Sequence, residues 1–437
     1  MSESKAAIKK AGLLYFVFVM FAYVTGGPFG LEGMVTTSGP GMTLVYLLAI
    51  PFFWSIPVSF ATAELTTAIP VEGGFYRWVR ISHGDFWGFL MGWWNWSASW
   101  MLGASYAVLF TDYLANYFPG LVGWKHYLVC LALIAVFAYI NVRGIQMVGV
   151  VATILGIAVL APVAVQCVIA ATKWHVNPFI PLTPPNVPRF QIFGVGLALG
   201  LWLYSGYEQC SSVAEEIENP QRNYPLALAI VVPLSVATYF LPALFSLAAL
   251  GNWQEWTTTY LVTAGKLIGG TWLGFAMTVA AVLCTVSLLN ATMLTSTRMP
   301  STMAEDGYLP AVFAAKHPRY GTPWIAILTS SAIYAVLAFQ TIAQLLTVYV
   351  WLRILVTQLT VLSAWKLRKT QPELKRPFRI PWGNLGLVYV VLAPFLMSAV
   401  AVIGSDKFAL KWGPLPVLLG IVAYFLFPRK QTETALR

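Results

Sequence analysis

The first long apolar run of the chain is interrupted at Ala22-Tyr23-Val24-Thr25-Gly26-Gly27-Pro28-Phe29-Gly30. Pro28 has no N–H and crowds the carbonyl four residues back, and the two glycines before it leave the backbone without side-chain restraint. A continuous helix is therefore not expected here. We predict two half-helices, with Pro28 in the first turn of the second, where its missing N–H costs nothing.

A second interruption is predicted where a later apolar run reads Trp202-Leu203-Tyr204-Ser205-Gly206-Tyr207-Glu208. A glycine there stands beside an ionisable residue in the middle of the run. Close helix packing or a simple kink is the alternative interpretation of each site. Two interruptions at corresponding places in the two halves of a membrane chain indicate a transporter binding site.

The composition indicates a membrane protein. Of 437 residues, 58% are hydrophobic and only 10% are charged, whereas soluble domains carry about 25% charged residues. Since a span needs about 20 apolar residues in a helix, we predict an all-α fold with twelve membrane spans. The predicted spans cover residues 12–37, 42–68, 86–117, 124–141, 145–172, 190–216, 224–250, 272–303, 323–339, 342–366, 384–404 and 412–428.

The charges predict orientation and partners. With the N-terminus inside, 19 of the 26 Lys and Arg residues fall in inner segments and 6 in outer ones, which places both termini in the cytoplasm and the chain in the cytoplasmic membrane. Basic residues lie between apolar runs rather than on one polar face, so the lipid bilayer and not nucleic acid is the expected partner. The most basic connection, 366–379, is interpreted as a topology signal that touches anionic lipid, with a regulatory site as the alternative.

The cysteines and histidines do not form a metal or disulfide pattern. They are widely spaced and consist of Cys130, Cys167, Cys210, Cys284, His83, His126, His175 and His317. We therefore expect no metal and no cofactor. An enzyme would need a catalytic cluster within the spans, and a channel would lack paired half-helices around a site, so both are weaker alternatives to a transporter. The oligomeric state is left open.

The interruptions predict the chemistry of binding. Backbone N–H groups released near Gly26 and Gly27 could receive a carboxylate. Carbonyls released near Tyr23 and Thr25, and near Tyr204 and Ser205, could receive an ammonium group. Trp202 and Tyr207 flank the second interruption and are candidate substrate contacts, and so is Gly206 in the break itself. The sequence thus predicts a site for an amine-bearing solute without a metal.

Four carboxylates fall in or at the ends of apolar runs. Glu208 is nearest the middle, and because burial disfavours its charged form we predict that it exchanges protons for coupling or balances an amine. The alternative is a carboxylate satisfied by backbone N–H groups. Glu32 and Asp112 are possible additional substrate contacts. For Asp112 and Glu64, near the span ends, a solvated or packing role is the favoured interpretation.

Several motifs, in order, are similar to the amino acid–polyamine–organocation superfamily over most of the chain. They are the first interruption, Ala63-Glu64-Leu65 with 69–76, the second interruption with 215–222, and 298–310. Gly26-Gly27-Pro28-Phe29-Gly30-Leu31-Glu32 and Trp54-Ser55-Ile56-Pro57 most resemble its branch of polyamine-uptake and L-type amino acid permeases.

The resemblance implies a leucine-transporter-like fold, in which one domain holds two inverted five-helix repeats, here about 12–172 and 190–366, and two added helices at about 384–428. It implies proton-coupled import of an amino acid or polyamine by alternating access between spans 1, 3, 6, 8 and 10. Gly26 and Gly27 would bind a substrate headgroup, and Trp202 would act as the gate of the site. Glu208 would bind a proton or interact with a second amine of the substrate.

Some alternatives stay open. Some proton-coupled relatives carry a lysine in span 5, but residues 146–172 contain none, so that mechanism does not transfer. Hydroxyl groups in span 8 leave sodium coupling possible; they belong to Ser287, Thr292, Thr295 and Ser296. Amino acid exchange, and the choice between amino acid and polyamine, also remain open.

Overall fold

The computed structural model describes residues 12–71, 73–144, 150–185, 193–211 and 217–427. Within these ranges the chain is helical and contains no β-strand. In chain order the helices are α1 (Leu13–Val24), α2 (Glu32–Ser38), α3 (Pro40–Ile50), α4 (Ile56–Ala68), α5 (Gly74–His83), α6 (Asp85–Ala115), α7 (Trp124–Val142), α8 (Val150–Thr172), α9 (Val195–Leu203), α10 (Pro220–Leu250), α11 (Tyr260–Gly269), α12 (Thr271–Ser296), α13 (Arg298–Glu305), α14 (Trp324–Leu337), α15 (Ile342–Thr370), α16 (Gly383–Ile403), α17 (Lys407–Trp412) and α18 (Pro414–Leu426).

Seven helices of the described part are long and apolar enough to cross a membrane. They are Pro40–Ala68, Trp124–Val142, Pro220–Leu250, Thr271–Glu305, Ile342–Thr370, Gly383–Ile403 and Lys407–Leu426. Each lies in or largely overlaps one of the predicted spans. The prediction of an all-helical, multi-pass membrane protein is confirmed, whereas the count of twelve spans and the internal repeat stay predictions.

The other five predicted spans contain helices that are shorter or more polar. The first and sixth are interrupted, so that α1 and α9 have only 12 and 9 residues. The third, α6, runs for 31 residues but buries polar side chains such as Asn95, Ser99 and Thr111. The fifth lies partly outside the described residues, and α14, in the ninth, has 14 residues. The interruptions explain the short first and sixth helices, and the buried polar side chains explain the weaker apolar signal of α6.

The start of the second half-helix differs from the prediction. It begins at Glu32 rather than with Pro28 in its first turn, because the chain stays irregular through Gly30, whose φ is +95°. The Glu32 carboxylate accepts the N–H of Gly30 at 2.8 Å. An acidic side chain at this end also meets the positive pole of the helix dipole, so the carboxylate fixes where the helix starts.

Helix packing brings the two interruptions towards the centre of the molecule. The long helix α6 packs against both α12 and α15, and α9 packs against α15. Helix α1 packs against α8, α10 and α12. One interior region is consequently surrounded by α1, α6, α9, α12 and α15. The irregular segments after α1 and α9 face this region.

Near the C-terminal end of α4, a buried carboxylate joins three segments. Glu64 is almost fully buried, and its carboxylate accepts a hydrogen bond of 2.7 Å from the Nε of Arg368 on α15. It also accepts the backbone N–H of Ile380 at 2.8 Å and lies 3.4 Å from the Nε of Arg376. This carboxylate therefore packs rather than faces solvent, and it fixes the connection between α15 and α16.

Replacing Glu64→Gln should destabilise the protein, since it leaves Arg368 and Arg376 without a buried counter-charge. Breaking a buried pair costs about 3–5 kcal/mol, so we expect a clearly lower melting temperature in detergent. Glu373→Gln, an exposed acid of the same connection, is the matched control and should melt like the wild type. Equal melting of both variants and wild type would show that Glu64 does not hold this connection.

Candidate functional site

The first interruption lies between α1 and α2, as the sequence predicts. Helix α1 ends at Val24, and Gly26 adopts a φ of +62°, which favours glycine. A Cβ added at Gly26 would come within 3.0 Å of Cys284 Sγ and of Leu288 Cγ on α12. Glycine is therefore required both by the backbone conformation and by the close approach of α12.

The second interruption follows α9, which ends at Leu203, and contains Gly206 with a φ of +110°. Its side chains bond to the neighbouring span, where the indole of Trp54 donates to Ser205 Oγ at 3.1 Å. The hydroxyl of Tyr204 donates to the Leu47 carbonyl at 2.7 Å. The prediction that this apolar run breaks near Gly206 is confirmed.

One side chain of α10 links the two interruptions. The hydroxyl of Tyr239 lies 3.1 Å from the Leu203 carbonyl and 3.4 Å from the Thr25 carbonyl. The hydroxyl of Thr25 lies 2.5 Å from Ser235 Oγ, also on α10. Carbonyls released at each break are thus partly satisfied by the same helix, which holds the two breaks side by side.

A cavity lies between the breaks, and the space within it that water-sized molecules could occupy is about 40 Å³. Aromatic side chains form much of its wall: Tyr23, Phe29, Tyr106, Trp202, Tyr239 and Tyr349. Polar side chains complete it: Thr25, Asn95, Ser99, Ser205, Gln209, Thr292, Ser296 and Arg353. The cavity therefore offers π faces and hydroxyl or amide groups, together with one cationic side chain.

The predicted site residues divide into those that line this cavity and those that do not. Tyr23, Thr25, Trp202, Ser205 and Gly206 line it. The others lie behind the wall or further away: Gly26, Gly27, Tyr204, Tyr207, Glu208, Glu32 and Asp112. The carbonyl of Tyr204 accepts the Ser55 hydroxyl at 3.4 Å and that of Tyr207 accepts the Tyr224 hydroxyl at 3.1 Å, so both face neighbouring helices.

Glu208 forms an ion pair with Arg353 of α15. The two residues are only 1% and 2% exposed, and Arg353 lines the cavity while Glu208 stands behind it. Asn95 of α6 extends the polar group, because its Oδ1 lies 3.4 Å from Arg353 Nη1 and 2.5 Å from Gln209 Nε2. The second break is therefore joined to α6 and α15 through charged and amide groups.

Sequence reasoning did not identify Arg353 as a site residue. The signal was present, because Arg353 is an arginine inside an apolar run, and intramembrane cations are expensive unless paired. Glu208, in another apolar run, was the natural partner, but nothing in the sequence brings α9 and α15 together. Asn95 and Gln209 are neutral and carry no comparable signal.

Glu32 is fully buried at the start of α2. Its carboxylate accepts the Gly30 N–H at 2.8 Å and the Tyr113 hydroxyl at 2.9 Å. The amides predicted to receive a substrate carboxylate have backbone partners, since Gly26 N–H donates to Phe21 at 3.0 Å and Gly27 N–H donates to Thr25 at 2.6 Å. The chain's own groups thus occupy several donors of this break.

Asp112 lies apart from the cavity, near the end of α6. Its Oδ1 is 2.8 Å from Nε2 of His126 on α7, and both side chains are partly exposed. The adjacent residue, Tyr113, is the one that reaches the first break, through Glu32. A direct contact between Asp112 and a molecule in this cavity would need a different arrangement of α6.

Comparison with known proteins identifies the family. Residues 15–424 match the amino acid permease family. The chain is 34% identical over 399 residues to the polyamine transporter RMV1 of Arabidopsis thaliana, covering 90% of this chain and 80% of that protein. It is 32% identical to the polyamine transporter PUT1 of Oryza sativa subsp. japonica, over 90% of this chain and 74% of that protein.

A bacterial protein is also similar along the whole length. The serine/threonine exchanger SteT of Bacillus subtilis is 25% identical, covering 99% of this chain and 100% of that protein. These relatives are thus two proteins named as polyamine transporters and one named as an amino acid exchanger. The chain belongs to the amino acid permease family, within the amino acid–polyamine–organocation superfamily, and is a membrane transporter rather than an enzyme.

Proposed function

We propose that this chain is a secondary active transporter that imports polyamines together with protons across the cytoplasmic membrane. The observation that carries the proposal is the position of Glu32, a carboxylate of the chain itself at the amide end of the second half-helix. The Glu32 carboxylate distinguishes amino acids from polyamines as substrates, because amino acids carry a carboxylate of their own and polyamines do not.

An amino acid would have to place its carboxylate near the first break. There the Gly30 N–H donates to the Glu32 carboxylate, and the N–H groups of Gly26 and Gly27 donate to backbone carbonyls. Pro28 has no N–H to donate. A second carboxylate would find few free donors and a negative charge close by. The same charge attracts a polyamine, so this end of the site favours a purely cationic substrate.

The aromatic wall supports the same substrate class. An ammonium group over the face of Trp or Tyr is stabilised by about 0.5–2 kcal/mol, more when water is excluded. Tyr106 and Trp202, whose ring centroids are 6.3 Å apart, and Tyr349 could each receive a methylene-linked amine. Relatives named as polyamine transporters, similar over most of this chain, support this choice over amino acids.

The ion pair between Glu208 and Arg353 provides a route for proton coupling. Protonation of Glu208 would release Arg353, and a substrate ammonium could compete with Arg353 for the carboxylate. Either event changes the contacts between the second break and α15, so substrate and proton can act on the same equilibrium between open and closed states. Coupling therefore follows from one shared carboxylate.

A proton is preferred to sodium as the coupling ion because of the hydroxyl contacts of α12. Thr295 Oγ1 contacts the Tyr23 hydroxyl at 2.9 Å and donates to the Ala291 carbonyl at 2.8 Å. Ser296 donates to Thr292 at 2.5 Å. The Tyr23–Thr295 contact joins α1 to α12 and the other two bonds lie within α12, whereas the buried carboxylate of Glu208 stands beside the cavity as a proton acceptor.

The transport cycle we propose is alternating access in a single domain. Residues 12–172 and 190–366 would form inverted repeats, each with a broken first helix, and 384–428 would add two helices. Both termini would lie in the cytoplasm, as the excess of inner Lys and Arg indicates. One bundle rocking against the other would then expose the cavity to each side in turn.

Uptake into proteoliposomes tests the substrate and the coupling ion together. We expect labelled spermidine to accumulate in sodium-free buffer when the outside is acidic, and putrescine to compete with it. A panel of amino acids at the same concentrations should not compete. Competition by amino acids alone would contradict the substrate class, and uptake that requires sodium would contradict the coupling.

Replacing Glu32→Gln tests what excludes amino acids. Glutamine keeps an oxygen for the Gly30 N–H, and the Tyr113 hydroxyl can accept from its amide, so the fold should be retained. Loss of a nearby charge worth about 1.4 kcal/mol should weaken spermidine binding about tenfold and strengthen amino acid competition by a similar factor. Glu255→Gln, an exposed acid, should change neither affinity; unchanged affinities in Glu32→Gln would refute the role of this carboxylate.

Two variants test the coupling pair. Glu208→Gln should abolish proton-driven accumulation and weaken spermidine binding at least tenfold, since Arg353 is left as an unbalanced cation in the wall. Adding Arg353→Gln removes that charge and should restore binding and melting temperature, but not the proton dependence. Proton-driven accumulation by the double variant would rule out Glu208 as the coupling group.

A further inference from the structure

An apolar groove runs along the outer surface of the helices, between α3–α4 and α10, with a volume of about 590 Å³. Its lining is almost wholly apolar and includes Phe52, which is 58% exposed, and Phe60 from one side. Val232 and Leu241 line it from the other side. In a multi-pass membrane protein such a groove faces the lipid and not water, so its occupant is expected to be a hydrocarbon chain.

The sequence on both sides creates the hollow. A π-helical turn, Pro51–Ser55, joins α3 to α4, where a proline without an N–H favours departure from regular hydrogen bonding. The facing part of α10 contributes Pro225 and Pro233, with the small side chains of Ala229 and Ala237. The groove therefore results from helix irregularity and small residues on the two opposing walls.

One end of the groove is lined by Phe378, from the connection between α15 and α16, which packs against Phe60 with ring centroids 6.3 Å apart. The N–H of Phe378 donates to Thr67 at 3.4 Å, and that of Ile380 donates to Glu64 at 2.8 Å. The residue between them, Arg379, is exposed. The backbone is thus held on both sides of Arg379 at this end of the groove, while the Arg379 side chain is exposed.

Charge at this end is positive. The connection and the end of α15, residues 366–379, contain six basic residues and the acidic Glu373. Arg368 and Arg376 are engaged by Glu64, whereas in the described part of the chain no ion pair joins Lys375 or Arg379 to a carboxylate. Trp382, 70% exposed and packed edge-on against Phe60 at 6.2 Å, stands nearby, as is typical of headgroup level.

We infer that this groove binds an anionic phospholipid, with an acyl chain against the apolar walls and the phosphate against Arg379 and Lys375. The charge decides the choice of occupant, because a sterol or a neutral phospholipid would satisfy the walls but not the cations. Acidic lipids of the inner leaflet are attracted by about 1 kcal/mol per basic residue near the surface. The inference is independent of the transported substrate.

Native mass spectrometry of the full-length protein in detergent tests the site, with phosphatidylglycerol and phosphatidylcholine of identical chains added in competition. The wild type should retain phosphatidylglycerol preferentially. Changing both Arg379→Gln and Lys375→Gln should reduce that preference about thirtyfold. Lys407→Gln with Lys411→Gln, two exposed lysines far along the chain, is the matched control and should keep it.

A second variant tests the groove itself. Ala229→Trp fills the space between the walls and should lower the retention of both lipids, while its melting temperature checks that the fold is kept. Equal retention of the two lipids by the wild type, or an unchanged preference after loss of Arg379 and Lys375, would overturn the proposal. So would full retention of phosphatidylglycerol by a folded Ala229→Trp variant, or its displacement by a soluble sterol ester.

Discussion

Inside a bilayer, a broken helix persists only if the backbone groups that it releases find partners within the protein. In this chain the Tyr239 hydroxyl meets part of that need for two breaks at once, since it approaches the carbonyls of both Leu203 and Thr25. The neighbouring contact between Ser235 and Thr25 comes from the same helix. The cavity therefore exists where it does because α10 satisfies both interruptions from one side.

Four intramembrane carboxylates show how position decides role. Glu32 is bound by a backbone amide and a tyrosine, Glu64 by Arg368, Asp112 by His126 and Glu208 by Arg353. For the buried Glu32, Glu64 and Glu208 these partners offset the cost of burying a charge, whereas Asp112 is partly exposed. Arg353 is the partner that lines the cavity, so neutralisation of Glu208 would change the charge balance of the cavity wall itself.

Much of the architecture is predictable from the sequence, because membrane spans depend on local apolar length and breaks depend on local Gly and Pro. Both interruptions, near Gly26 and Gly206, were found in this way. The predicted start of α2 is wrong, because the helix begins at Glu32, whose carboxylate accepts the Gly30 N–H, and not at Pro28. The Arg353 pairing and the contacts of Asn95 were not predictable, since they depend on how distant helices pack.

The small size of the cavity has an energetic consequence for substrate binding. Only about 40 Å³ is open to the centres of water-sized molecules. A larger solute can therefore be held there only if the helices around the cavity move apart. Part of its binding free energy is then used for this opening, so the measured affinity is weaker than the contacts alone would provide.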